Sequence, residues 1–307
     1  LPTSEPSQPD LAELDSGRDP DYFKGLAFIL GASLFNSSVG YLIRIVEQAD
    51  GWQILFYRSL AFLVFMIGLL AWKHGPKKLP ERFKETGRAG IIAGCLLGVS
   101  FSGFIFALLN TTVANVVFIG ASSPFLAALM AFVFLKERLA WRTWIAMAVA
   151  LGGVGVMVGD GLSGGGLLGI GLAILTISTF AGALVAIRSG KKKDMRPATC
   201  LAGVIALCTA LVMSDSLVIS LHDFLVISTL GVVQLGLQYV FLTAGTRHVP
   251  AGEVALMGRL NLVLSPFWAW LAVGELPSSM SLLGGGIIVA ALLFYGISAL
   301  RGTTLRV

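Results

Sequence analysis

The sequence predicts an all-α integral membrane protein of ten transmembrane helices arranged as two inverted five-helix repeats. Three observations predict it. Apolar runs long enough to cross a bilayer recur along nearly the whole chain. Basic residues collect in every second connection. The two halves of the chain also repeat one another at a fixed offset. Composition agrees: of 307 residues, 56% are hydrophobic, only 13% are charged, and the mean hydropathy is +0.85. Soluble domains draw about a quarter of their residues from Asp, Glu, Lys and Arg, to cover a wet surface. The 37 glycines suit helices that pack backbone to backbone in lipid. A net charge of +5 could suggest nucleic acid. The basic residues sit in short loops between apolar runs, which excludes that reading.

Residues 1–21 form an acidic tail, with Pro, Ser and a single basic residue, Arg18. No basic stretch precedes an apolar core, so this is no signal peptide; it reads as a disordered cytoplasmic tail. Leu1 in place of Met reads as a processed or trimmed start. A spanning helix needs about 20 apolar residues. Ten stretches approach this: Tyr22–Ile45, Ile54–Trp72, Ala89–Asn110, Val113–Leu135, Arg142–Gly159, Leu167–Arg188, Pro197–Val212, Phe224–Arg247, Gly252–Gly274 and Met280–Leu300. Asn110-Thr111-Thr112 is the thinnest punctuation, and Ser214 to Asp223 a clearer one. The first repeat is assigned to 22–160 and the second to 161–302. Residues 303–307 are a short tail, cloning residues being one source for it.

With the N-terminal tail in the cytoplasm, 19 of the 22 basic residues fall in cytoplasmic segments. The opposite face keeps only Arg44, and Arg58 and Arg259 lie inside helices. Excess Lys and Arg marks the cytoplasmic side, so both termini are expected there, with residues 75–87 and 189–196. Residues 47–51, 160–165 and 214–223 are expected outside. Trp72, Trp141 and Trp144 fall at one interface, as an aromatic belt does.

An offset of 138 residues superposes Val116 on Val254, Gly120 on Gly258, Leu126 on Leu264, Ala131 on Ala269 and Glu137 on Glu275. Phe101 meets Tyr239. Five spans per repeat invert the second set relative to the first, an architecture common in transporters with a site near the bilayer midplane.

Particular stretches carry a resemblance. Ser123–Gly159 has a Pro in the fourth helix, a Glu-containing turn after it (Pro124, Glu137) and a Gly-rich fifth helix. It resembles the end of a repeat of the EamA type, within the drug/metabolite transporter superfamily. Phe56-Tyr57-Arg58 is similar to that family's second helix. Glu275 and Gly284-Gly285-Gly286 match in the second repeat. The Pro does not: its equivalent is Leu262, with Pro266 one turn later. Within the family the chain is most similar to YddG-type aromatic amino-acid exporters. The resemblance implies secondary export of small metabolites, with aromatic and other neutral amino acids as the expected substrates, across a bacterial inner membrane by alternating access. Multidrug or other-metabolite efflux is the alternative within the family.

The candidate binding residues are polar or aromatic side chains near helix centres. They are Asn36 and Ser37 in the first helix, Phe101 and Phe104 in the third, Asn115 in the fourth, Gln234, Gln238 and Tyr239 in the eighth, and Arg259 and Asn261 in the ninth. Neutral amides supply donors and acceptors, and aromatic rings supply stacking surface. Buried amides also simply join helix to helix. Arg58 is expected about one turn inside its helix, near the outer interface, where snorkelling is open to it. Arg259 is expected deeper, with a cavity or gate role, or a structural pairing with backbone carbonyls or with Glu253. Glu253 belongs in the first turn of its helix, complementing the dipole. Pro124 and Pro266 are candidate hinges, each removing a helical hydrogen bond.

No catalytic residue, metal or cofactor is expected. The Gly runs lack the Lys-Ser/Thr of a phosphate loop. Gly155 and Gly159 read instead as a small-residue packing face, and Cys95, Cys200 and Cys208 as small hydrophobes. A lipid-modifying membrane enzyme would need clustered acids or histidines. His74, His222 and His248 are scattered over loops. The expected partners are a small-molecule substrate, with an amino acid favoured, and the lipid bilayer.

Overall fold

A computed structural model describes residues 21–75, 79–136, 139–164, 166–189, 196–249 and 251–303. Most of the acidic tail, the Glu137 turn, the lysine run 191–193 and residues 304–307 lie outside them. The secondary structure among the described residues is helical. Ten apolar segments stand where the sequence places them: α1 (Tyr22–Leu42), α2 (Gly51–His74), α3 (Leu79–Asn110), α4 (Val113–Leu135), α5 (Trp141–Gly164), α6 (Leu167–Ser189), α7 (Arg196–Met213), α8 (Leu221–Gly245), α9 (251–273) and α10 (Ser279–Thr303). Eight contain a stretch long and apolar enough to cross a membrane by themselves. The apolar part of α7 is shorter, and α9 is divided.

Helix ends follow their local chemistry. Asp50 opens α2, its carboxylate accepting from the Trp52 and Gln53 amides while Gln53 Oε1 accepts from the Asp50 amide. This reciprocal capping box starts the helix at Gly51, earlier than its apolar residues suggest. Thr112 caps α4 through the Asn115 amide, and Ser220 caps α8 through the Asp223 amide. In α3 the chain turns at Gly87, whose φ of +63° glycine alone adopts cheaply.

Large apolar side chains point outward along the helices, Val64, Phe134, Leu168 and Val212 among them. Alanines such as Ala93, Ala114, Ala181, Ala206 and Ala210 are fully buried. Lipid tails offer helices no hydrophobic reason to associate, so small residues that permit close approach fill the interfaces. Trp72 and Trp141 are exposed and Trp144 marginally so, as belt residues would be. Cys200 is buried, but Cys95 and Cys208 lie on the exposed surface and not in the packing.

The packing face expected at Gly155 and Gly159 is not there, since open space surrounds both. The close approach is Gly153 against Gly284, where a Cβ on either would stand 2.6 Å from the other's carbonyl oxygen. Further pairings are α3 with α6, α8 with α1, α7 with α2, and α3 with α7. Exchanging the first five helices for the second five turns the α3–α6 pair into α8–α1, and leaves α5–α10 and α2–α7 unchanged.

Candidate functional site: a polar cavity between two broken helices

Two helices are interrupted at equivalent places. α4 ends at Ala121 and restarts at Ser123. α9 ends at Gly258 and restarts at Asn261. The offset of 138 residues carries Ser122 onto Leu260, and the local hydrogen bonds match. Ser122 N donates to Ile119 O at 3.0 Å, and Leu260 N to Met257 O at 3.0 Å. Phe125 N donates to Ser122 O at 3.0 Å, and Val263 N to Leu260 O at 3.1 Å. Short 3₁₀-type turns inside a helix often mark a hinge or a strained stretch. The helices end with left-handed residues at equivalent positions, Lys136 (φ 54°) and Gly274 (φ 68°).

The breaks therefore precede the prolines expected to make them. Pro124 sits in the first turn of the restarted helix, where its missing N–H costs nothing. Pro266 lies inside the second half of α9, beyond the break.

Between the breaks is a cavity of about 290 Å³, near the low end of ligand pockets. α1 contributes Asn36, α2 Arg58, α3 Ser100, Phe101 and Phe104, α4 Gly120 and Ser123, α6 Thr176 and Phe180, α8 Gln234, and α9 Gly258, Arg259 and Asn261. No acidic residue lines it among the described residues.

Arg58 is the most constrained of these. It is only 1% exposed, packed inside the helix bundle. Snorkelling, left open by the sequence, is not what the side chain does: α2 begins at Gly51, which places Arg58 about 10 Å along the helix by helix rise, and its side chain is buried. The Asp50–Gln53 capping box was the signal for that start. Its Nη2 donates to Gln234 Oε1 at 3.1 Å, and Gln234 Nε2 donates to Asn36 Oδ1 at 3.3 Å. Nε and Nη1 of Arg58 have no hydrogen-bond partner among the described residues. The guanidinium carbon lies 5.8 and 5.9 Å from the Phe101 and Phe104 ring centroids, close enough for cation–π attraction. Gln234 is presented by a π-helical stretch, Leu230–Leu237, a local widening frequent at functional sites. Gly231 in that stretch lets α8 lie on the Arg58 backbone, since a Cβ there would fall 2.4 Å from the Arg58 carbonyl oxygen.

Of the sequence-derived candidates, Asn36, Phe101, Phe104, Gln234, Arg259 and Asn261 share this cavity. Arg259 lies in the α9 break, its carbonyl accepting from Leu262 N at 2.9 Å and its side chain lining the cavity. Glu253, in the first turn of α9, instead accepts from the Tyr22 hydroxyl. Asn261 Oδ1 accepts from Ser265 Oγ.

Four candidates are elsewhere. Ser37 is buried between α1 and α9, donating to Leu34 O and accepting from Trp268 Nε1. Asn115 joins Thr111 to Ser281. Tyr239 packs on the Phe62–Met66–Cys200 cluster. Gln238 lies beyond the cavity lining. The π-helical stretch shifts the register of the helix C-terminal to it, so a face counted at 3.6 residues per turn no longer holds there. Ser100, Ser123 and Thr176 line the cavity without having been singled out.

The two ends of the cavity differ. At the end poor in basic residues, the first half of α4 packs on the second half of α9. There Glu275 Oε1 accepts from the Val113 amide at 2.7 Å, capping α4. Glu275 Oε2 lies 2.6 Å from Arg44 Nε, an ion pair oriented off the hydrogen-bond axis. Arg44 Nη2 donates to Thr111 O. Nearby, the buried Asp223 carboxylate accepts from the Glu47, Gln48 and Ala49 amides. At the basic end, with exposed Lys24, Arg142 and Arg247, no comparable packing joins the second half of α4 to the first half of α9 among the described residues.

The EamA-like transporter family model matches residues 23–159 and again residues 167–297. The chain belongs to the EamA-like transporter family. Each match spans five of the helices, and the connection between them falls before α6. The chain is 26% identical over 276 residues to the pseudopaline exporter CntI of Pseudomonas aeruginosa, covering 86% of this chain and 93% of that one. It is 27% identical over 215 residues to the uncharacterized transporter YdfC of Bacillus subtilis, covering 65% and 69%. A crystal structure with a TM-score of 0.60 at 16% identity covers 89% of this chain and 97% of its own, and has the same fold. This EamA-like protein is thus a multi-pass membrane transporter.

Proposed function

We propose that this protein is a secondary exporter that carries small metabolites across a bacterial plasma membrane by alternating access. The observation that carries this reading is the pair of equivalent helix breaks facing one cavity of polar and aromatic lining, packed shut at the end poor in basic residues. Repeat-equivalent breaks give each half of the molecule a hinge, so rocking one repeat against the other would exchange the open and closed ends. The positive-inside rule assigns the basic end, with both termini, to the cytoplasm. The cavity then opens to the cytoplasm, the state in which an exporter loads. Similarity to a protein named as an exporter supports the direction.

Amino acids and their derivatives are the first substrate class. Phe101, Phe104 and Phe180 offer an apolar wall, and Asn36, Gln234, Ser100 and Thr176 offer paired polar groups. Drug efflux of organic cations is the less favoured reading, because no carboxylate among the described residues lines the cavity to give a cation its counter-charge. Purified protein in sealed vesicles, screened with and without a pH gradient, is expected to give saturable counterflow of phenylalanine, tyrosine, tryptophan or acidic and N-acylated relatives. Counterflow confined to organic cations contradicts the substrate class. Absence of saturable counterflow for every solute contradicts the transporter reading.

A further inference from the structure

We infer that the cavity is a carboxylate site selective for net anionic substrates, with Arg58 as its fixed anchor and Arg259 as a second anchor carried by the hinge of α9. This rests on the transporter reading and narrows its substrate class. The argument begins with charge. Two guanidinium groups line one cavity of about 290 Å³, and no carboxylate among the described residues lines it with them. Arginine stays charged in proteins. A buried charge is costly unless paired and hydrogen-bonded, and intramembrane cations are almost always matched. Arg58 is 1% exposed, spends one N–H group on a neutral amide, and leaves Nε and Nη1 unpartnered. No partner for these two atoms stands among the described residues, and the substrate is assigned that place.

The geometry selects a carboxylate. The guanidinium edge is a planar fork that matches two carboxylate oxygens. Phe101 and Phe104, each about 6 Å from the guanidinium, hold that plane and leave apolar surface for the rest of the ligand. Gln234 and Asn36 form a relay behind Arg58 that fixes its direction. The substrate's own amino group is treated differently: among the described residues an ammonium there meets neutral oxygens and two cations. A neutral zwitterion therefore satisfies half the site. An N-acylated amino acid or a second acid group satisfies it all. Arg259 differs from Arg58 in standing on the interrupted segment of α9. Its repeat counterpart is Ala121, so only one of the two hinges carries charge. Anion binding thereby couples cavity occupancy to that hinge.

Three probes sharing one ring separate the charge states: N-acetyl-L-phenylalanine (anion), L-phenylalanine (zwitterion) and phenethylamine (cation). Binding to the purified full chain in detergent, measured by titration calorimetry, is expected to favour the anion at least tenfold over the zwitterion, with the cation weakest. Arg58→Gln removes this preference, and Arg58→Lys, which keeps the charge but not the fork, retains part of it. Arg259→Gln, chosen because it lies in a break and not within a packed helix, weakens the anion severalfold. Size-exclusion profiles matched to the parent establish that the variants fold. The zwitterion or cation binding as tightly as the anion overturns the inference. Failure of the anion to bind at millimolar concentration, or anion binding within twofold in Arg58→Gln, overturns it equally. Saturable counterflow of any solute leaves the transporter reading standing through all of these.

Discussion

At the scale of single residues, the site depends on a glycine as much as on the arginine it flanks. Arg58 keeps its place because α8 lies directly on its carbonyl, and α8 can do so only where Gly231 has no side chain. A Cβ there would approach to 2.4 Å, and the obstacle is backbone, which cannot rotate away. Gly231→Ala is therefore expected to push α8 from α2 and pull Gln234 off Arg58. Overpacking of this kind costs about 1–3 kcal/mol. The thermal unfolding midpoint in detergent should fall, and transport at matched protein levels should fall with it. Asn36, Gln234, Phe101 and Phe104 were legible in the sequence because polar groups inside an apolar run need a reason to be there, whereas Asn115, Gln238 and Tyr239 lie outside the cavity. The depth of Arg58 was missed because the start of α2 was read from hydropathy and not from Asp50 and Gln53. Gly155 and Gly159 misled because spacing shows that two glycines share a face, not which helix opposes it. Gly153 meets α10, and they meet open space.

At the scale of elements, the breaks in α4 and α9 are the features that sequence located only approximately. Proline advertised them, yet the interruptions fall before Pro124 and well before Pro266, at Ser122 and at Arg259–Leu260. The offset of 138 residues was the better guide, since it carries one break onto the other down to individual hydrogen bonds. Tertiary contacts then decide which halves meet. Glu275 does two jobs at the closed end, capping α4 and pairing with Arg44. Its repeat counterpart by sequence is Glu137. Glu275→Gln removes the ion pair, leaves Arg44 partly buried without its counter-charge, and weakens a helix cap. Loss of a cap alone costs about 1 kcal/mol, and loss of one member of a buried pair costs more. Since Arg44 and Glu275 keep some solvent access, a total of about 1–2 kcal/mol is expected. A lower unfolding midpoint for Glu275→Gln, largely restored when Arg44→Gln is added, would establish the coupling. An unchanged midpoint would show that the pair adds nothing to closure.

At the scale of the whole molecule, the fold was the most legible level because a bilayer allows few solutions. Every backbone polar group must be satisfied within its own segment, so long apolar runs become helices. Loop charge adds an expected orientation, and an odd number of spans per repeat adds an inversion. What hydropathy could not supply is the conformation: which end of the cavity is shut depends on contacts between halves far apart in sequence. The most direct test of alternating access around this cavity is a single cysteine at Phe180, on the cavity wall, in a chain whose Cys95, Cys200 and Cys208 are alanine. In sealed vesicles of known orientation, a membrane-impermeant maleimide should label Phe180→Cys from the face bearing Lys24 and Arg247. Adding Glu275→Gln should raise labelling from the opposite face severalfold, as the closed end is released. Labelling of the parent variant from the Glu275 face alone, or equal labelling from both faces with no response to Glu275→Gln, would contradict the account.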